Sequence, residues 1–208
     1  MSKILLINGS PKEKGCTFTA LNELAMTVEK HNVETELVHI GNKPVAGCIA
    51  CKKCVTTGKC IINDKVNEII EKLDSYDGIV VGSPVYFGGP NGQLLSFLDR
   101  LFYTSSNRMA GKLGASIVSC RRGGATAAFD RLNKYFTISS MVVVGSQYWN
   151  QVHGNSPEEV RRDEEGLQTI RTLGQNMVWL LQSIEAGRKS GVEFPRYEKR
   201  LRTDFIRQ

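Results

Sequence analysis

Five short apolar runs, each separated from the next by a stretch with helical spacing, restrict the possible folds of this chain more than any other feature. The runs cover residues 3–8, 33–40, 79–81, 115–119 and 141–144. The first, Ile4-Leu5-Leu6-Ile7, is too short for a helix and apolar at consecutive positions, as in a strand covered on both faces. Glu34 and Glu36 give the second run the pattern of a solvated edge. Between the runs, apolar residues recur at helical spacing: Leu21, Leu24, Ala25 and Val28; Val66, Ile69, Ile70 and Leu73; Leu94, Leu95, Leu98, Leu101 and Phe102; Ala128, Leu132 and Phe136. A last stripe runs through Leu167, Ile170, Leu173, Met177, Leu181 and Ile184. Asp64 is the expected N-cap of the second helix. Ser156, Pro157 and Glu159 spell a capping box for the last one, with Gly187 as its C-cap.

Parallel strands need crossover connections, so strands alternating with helices predict a doubly wound α/β fold: a five-stranded parallel sheet in three α/β/α layers. At 208 residues one domain is expected, over residues 1–187, followed by a basic C-terminal arm at 188–208. Residues 41–63, rich in Gly, Cys and Lys, form a loop inside that domain, long enough to read as functional.

Composition narrows the function. The net charge of +6 is mild, and the basic segment 185–208 has no nucleic-acid motif beside it, so nucleic acid is not an expected partner. No apolar run approaches the ~18 residues of a membrane span, and no secretory signal precedes the first strand, so a membrane partner is not expected and a cytoplasmic location is. Six cysteines then read as thiols rather than disulfides. No nucleophile elbow or Ser/His/Asp order supports hydrolysis.

Ligands of such a sheet bind beyond the carboxyl ends of its strands. Three loops lie there. In the first, residues 8–19, Gly9 and Gly15 permit tight backbone, Ser10, Thr17 and Thr19 supply hydroxyls, and Lys12 adds charge near a helix N-terminus. That combination suits a phosphate, and the absence of a GlyLysSer/Thr ending excludes a Walker A loop. In the second, Pro84-Val85-Tyr86-Phe87-Gly88, two aromatics between turn residues suit a planar heterocycle. In the third, Arg121-Arg122-Gly123-Gly124, two cations could stabilise negative charge on a bound ring. Cys48, Cys51, Cys54 and Cys60 are compact enough to converge on one metal centre. The same four could instead remain free thiols or form a redox disulfide. Zinc, which normally takes two separated CxxC pairs, is disfavoured.

The first loop resembles the GlySerPro(Arg/Lys)xxGlyxThr phosphate loop of the NAD(P)H-dependent FMN reductase family. The stretch from Ser83 to Gly88 is similar to its flavin-ring loop, and Leu98-Asp99-Arg100-Leu101 and Arg122-Gly123-Gly124 also look like this family. The resemblance implies a flavodoxin-like fold, non-covalent FMN, NADH or NADPH as co-substrate, and a homodimer or homotetramer. Carried over by position, Ser10, Lys12, Cys16, Thr17, Phe18 and Thr19 would surround the phosphate. Residues 84–88 and 121–124 would surround the ring. Cys16 stands where an Asn is common, which removes a side-chain contact. The cysteine spacing is similar to that of the iron-sulfur flavoproteins, a branch with a [4Fe-4S] cluster near FMN. The resemblance therefore implies an oxidoreductase moving electrons from a nicotinamide or protein donor to a quinone, flavin or other acceptor. The alternatives are a carrier exchanging with ferredoxin-like partners and a redox-sensing module.

Overall fold

The structure, a computed structural model, describes residues 1–199, 201 and 203. Strand β1 (Lys3–Asn8) leads into helix α1 (Cys16–Glu29), then β2 (Glu34–His39). A short helix α2 (Lys53–Thr57) interrupts the long loop before α3 (Lys65–Lys72). There follow β3 (Gly78–Tyr86), β4 (Gly89–Pro90), α4 (Gly92–Met109), β5 (Leu113–Cys120), α5 (Ala125–Ile138), β6 (Val142–Val143), β7 (Gln151–His153), α6 (Pro157–Arg162) and α7 (Glu164–Lys189). The main strand order is β2-β1-β3-β5-β6, all parallel, with β4 on the end of β3 and β7 beside β5. This is the doubly wound order with its switch point between β1 and β3.

Period-two alternation divides the core between the faces of the sheet. Leu5, Ile7, Ile79, Val81 and Val118 meet Val66 and Ile69 of α3, Leu94, Leu98 and Leu101 of α4, and Leu132 and Phe136 of α5. Ile4, Leu6, Val80, Ala115 and Ile117 meet Leu21, Leu24 and Val28 of α1 and Ile170, Leu173 and Met177 of α7. Both faces being covered explains the consecutive apolar residues of β1.

Asp64 caps α3 as expected, its side chain accepting from Val66 N at 3.0 Å. β2 is the expected edge, and its Glu36 is clamped by Lys3 at 2.7 Å and Lys72 at 2.9 Å. These two cations hold the Glu36 carboxyl down to about 2 against an ordinary 4.5. A depressed folded-state value stabilises the fold above the unfolded value and ceases to do so as pH falls through the folded one. Glu36→Gln is therefore expected to cost about 1 kcal/mol at pH 7, allowing for solvent screening of a side chain that is 25% exposed. The gap from the parent should close between about pH 4.5 and 2, followed by urea unfolding across that range.

Three expectations are corrected. The fifth strand, expected over 141–144, is only two residues long, and its sheet position is shared with β7. The chain leaves the sheet after Val144, whose N–H reaches Gly114 O, and returns at Asn150, whose carbonyl accepts Val118 N–H. The intervening Gly145-Ser146-Gln147-Tyr148-Trp149 cannot fill a buried strand, and Ser146 Oγ closes the excursion on Asn150 Oδ1 at 2.7 Å. The last helix is broken in two at Asp163, whose carboxylate accepts from Gly166 N at 3.0 Å and from His153 N at 2.6 Å, recapping the chain and tying it to β7. Finally, α7 runs on through Gly187 to Lys189 with Ser190 as its C-cap, so Gly187 is not the cap and residues 188 and 189, the first of the expected arm, are helical. The expected arm begins there, and its residues 200, 202 and 204–208 lie outside the described residues. Among the described residues no helix is long and apolar enough to cross a membrane.

Candidate functional site: the strand-end cradle and the cysteine loop

The three loops emerge at the same end of the sheet and are tied to one another. Gly9 N–H donates to Gly82 O at 2.9 Å, joining the ends of β1 and β3. The Thr17 and Ser119 hydroxyls pair at 2.8 Å, joining α1 to the end of β5. Cys16 Sγ reaches Gly154 O at 3.6 Å, joining α1 to the turn after β7.

The first loop is braced from inside. Buried Asn8 accepts from Ser10 N at 3.1 Å and donates to Glu13 O at 2.9 Å, while Ser10 Oγ accepts from Lys12 N at 3.1 Å. His39 adds a brace from β2, its Nε2 lying 2.8 Å from Ser10 O. Gly15, the N-cap of α1, offers no side-chain cap, and the first helical bond is donated by Thr19 N to Gly15 O. The N–H groups of Cys16, Thr17 and Phe18 are therefore the orphan donors of a fourteen-residue helix, presented at the switch point with Lys12 exposed nearby. This donor set fits a phosphate.

Two side chains expected at the phosphate face elsewhere. The Thr17 hydroxyl is buried against Ser119, so the backbone N–H is what Thr17 presents, and the Thr19 hydroxyl donates back to Gly15 O at 3.2 Å. Burial pushes the Cys16 and Cys120 thiols up, which favours the neutral thiol over the thiolate.

Tyr86-Phe87-Gly88-Gly89 forms the tip of the β3–β4 hairpin, with Phe87 at φ 50° and Gly88 at φ 75°. Positive φ at both central positions is the type I′ turn that strand twist favours, and Asn-Gly is its usual sequence. A bulky aromatic there is strained, and the Phe87 ring is fully exposed, with Tyr86 half-exposed beside it. Local stability alone would not select this pair, whereas a flat ligand lying on the hairpin would. Phe87→Asn is expected to raise the stability of the ligand-free protein by about 1 kcal/mol and to weaken the binding of a flat ligand several-fold. Thermal denaturation and a ligand titration read the two effects separately.

The third loop leans on the second. Gly124 sits at φ 84°, and a Cβ there would lie 2.9 Å from Gly88 Cα and 3.0 Å from Val85 Cγ1. Arg121, Arg122 and Gly123 are exposed above this contact.

The cysteine loop packs along one stripe of α4, the helix that starts just after the hairpin. Gln93 Nε2 donates to Lys43 O, and Arg100 reaches Ala46 O at 3.4 Å and Ile62 O at 2.8 Å. Cys48 and Cys51 are exposed, while Cys54 and Cys60 are half-buried. Among the described residues no three Cys, His, Asp or Glu side chains are gathered closely enough to hold a metal ion. The donor set, four free thiols within thirteen residues, suits an iron-sulfur cluster in number and kind. Gathering them on one centre requires this loop to rearrange, and its Ala50 (φ 53°) and Lys52 (φ 58°) already occupy left-handed backbone.

Sequence reasoning gave Asn8, His39, Asn67 and Arg100 no role at the site, although Asn8 lies in the first loop and Arg100 in a stretch that resembles the family. Arg100 alone carried a signal: a charge on the apolar stripe of Phe97, Leu98 and Leu101 must find a partner.

A parallel doubly wound sheet with this strand order and an orphan helix N-terminus at its switch point defines a flavodoxin-like protein. Solved structures agree on the fold. RosB with bound 8-demethyl-8-formylriboflavin-5'-phosphate superposes with a TM-score of 0.69 at 14% identity, covering 100% of this chain and 95% of that one. An NADH:FMN oxidoreductase in apo form gives 0.64 at 18% identity, covering 86% and 90%. Residues 2–155 match the NADPH-dependent FMN reductase family, to which the chain belongs. It is 33% identical to an iron-sulfur flavoprotein of Methanocaldococcus jannaschii over 193 residues, 88% of this chain and 99% of the relative. It is also 33% identical to an iron-sulfur flavoprotein of Methanosarcina thermophila over 192 residues, 89% and 98%.

Proposed function

We propose that this chain is an FMN oxidoreductase of the iron-sulfur flavoprotein kind, working in a reducing compartment such as the cytoplasm. Electrons enter from NADH, NADPH or a reduced protein and leave to a quinone, a flavin or another acceptor. The observation that carries the reading is the orphan N-terminus of α1 at the switch point, flanked by the exposed, strained Tyr86-Phe87 hairpin.

FMN, when bound, supplies the hydride and single-electron chemistry. The chain's own part is binding and tuning. The Cys16, Thr17 and Phe18 N–H groups, the Ser10 hydroxyl proton and Lys12 hold the phosphate. Residues 84–88 carry the ring on one side, and Arg121 and Arg122 favour negative charge on it. No side chain is required as acid or base. Cys48, Cys51, Cys54 and Cys60 ligate a [4Fe-4S] cluster beside α4, and a second copy of the chain, in a homodimer or homotetramer, covers the open side of the ring.

A pure carrier exchanging electrons with ferredoxin-like proteins is the second reading. The packing of the cysteine loop on the helix that leaves the hairpin favours it, because that offers a route from the ring to exposed Cys48 and Cys51. Protein purified without oxygen should show flavin bands together with a broad absorbance and bound iron and sulfide. Steady-state NADPH oxidation with quinone or ferricyanide separates enzyme from carrier. A colourless protein that leaves FMN fluorescence unquenched at micromolar concentration would overturn both.

A further inference from the structure

Cys60 is held quite differently from the other three cysteines. Its sulfur accepts a hydrogen bond from Arg100 Nε at 3.2 Å. Its backbone is bracketed by buried Asn67, whose Oδ1 accepts from Cys60 N at 2.8 Å and whose Nδ2 donates to Cys60 O at 2.9 Å. Arg100 is itself immobilised. Its side chain has no exposed surface, and its guanidinium forms a two-pronged pair with Asp64, Nη1 to Oδ2 at 2.6 Å and Nη2 to Oδ1 at 2.8 Å. The remaining prongs reach Ala46 O and Ile62 O, one on each side of the cysteines. A buried guanidinium is tolerated only when each donor finds an acceptor, and the Cys60 sulfur completes the set.

We infer that Arg100 and Asn67 make Cys60 the preset anchor of the four-cysteine loop, the one thiol of the four whose place is fixed by the fold. The inference rests on the cluster reading above. Arg100 is a positioning residue with an electronic effect, because a guanidinium hydrogen bond to a ligating sulfur favours the more negative, reduced state. Asn67 fixes only the backbone and should leave that balance alone.

The test uses full-length protein reconstituted without oxygen with FMN, ferrous iron and sulfide, comparing Arg100→Lys, Arg100→Gln and Asn67→Ala with the parent. Lysine keeps a charge for Asp64 but has no donor at the Nε position. At equal iron content, both Arg100 variants are expected to lower the one-electron reduction constant of the cluster about tenfold, or about 59 mV. Asn67→Ala should keep the parent potential, lose iron to a chelator about tenfold faster, and exchange the Cys60 amide faster in metal-free protein. An unchanged potential in iron-loaded Arg100→Lys and Arg100→Gln would overturn the inference and leave the cluster reading standing. A parent protein that takes up no iron would end the cluster reading first and the inference with it. Should the Arg100 variants fail to fold, chelation decides: equal rates for Asn67→Ala and the parent would show that Cys60 is no anchor.

Discussion

Gly124→Val is expected to weaken FMN binding about 100-fold while leaving the sheet folded. Left-handed backbone costs an L-residue ~1–2 kcal/mol, more when β-branched, and the new Cβ would press on Gly88 Cα, which is backbone and cannot rotate away. The hairpin must then separate from the N-terminus of α5. A factor of 100 corresponds to about 2.7 kcal/mol, within reach of strain plus one displaced binding loop. The damage stays local because Phe87, Gly88, Gly123 and Gly124 are all exposed at the loop tips, so circular dichroism should match the parent. Quenching of FMN fluorescence measures the loss. Affinity within threefold of the parent would mean that the second and third loops do not jointly hold the ring.

Serine in place of Cys48, Cys51 or Cys54 is expected to reduce cluster iron to about a tenth or less, with FMN content unchanged. An alkoxide is a poor substitute for thiolate toward iron, and a cluster of this type needs all four sulfurs. The flavin half should not respond, since Cys48 and Cys51 are exposed on a separate loop that packs against α4. Iron and flavin assays on the same preparation decide it. Loss of both together would place the cysteines in the fold rather than in a separate centre.

Much of this architecture could be read in advance because burial imposes periodicity. Consecutive apolar residues in β1 and the three-to-four spacing in α1, α3, α4, α5 and α7 follow from a sheet covered on both faces. The fifth sheet position escaped because Gln151-Val152-His153 buries only Val152, too little to carry a period. The break at Asp163 escaped because it depends on a partner across space, the amide of His153. At the site, chain position told which loops gather at one end, but not which way each side chain turns. Thr17 was legible in hindsight: with Leu21, Leu24 and Val28 it continues the buried stripe of α1, and its hydroxyl accordingly points inward to Ser119. The pairings of Arg100 with Cys60 and of Asn67 with the Cys60 backbone link residues 40 and 7 positions apart, and local pattern has no access to them.

Because Arg100 grips the chain at Ala46 and again at Ile62 and Asp64, the segment between behaves as a cartridge latched to a finished flavin domain. A lineage could exchange or discard it without rebuilding the sheet. Grafting it elsewhere would need two landing points in the recipient: an arginine on the helix after its ring-binding hairpin, and an aspartate opening the helix that follows the insert.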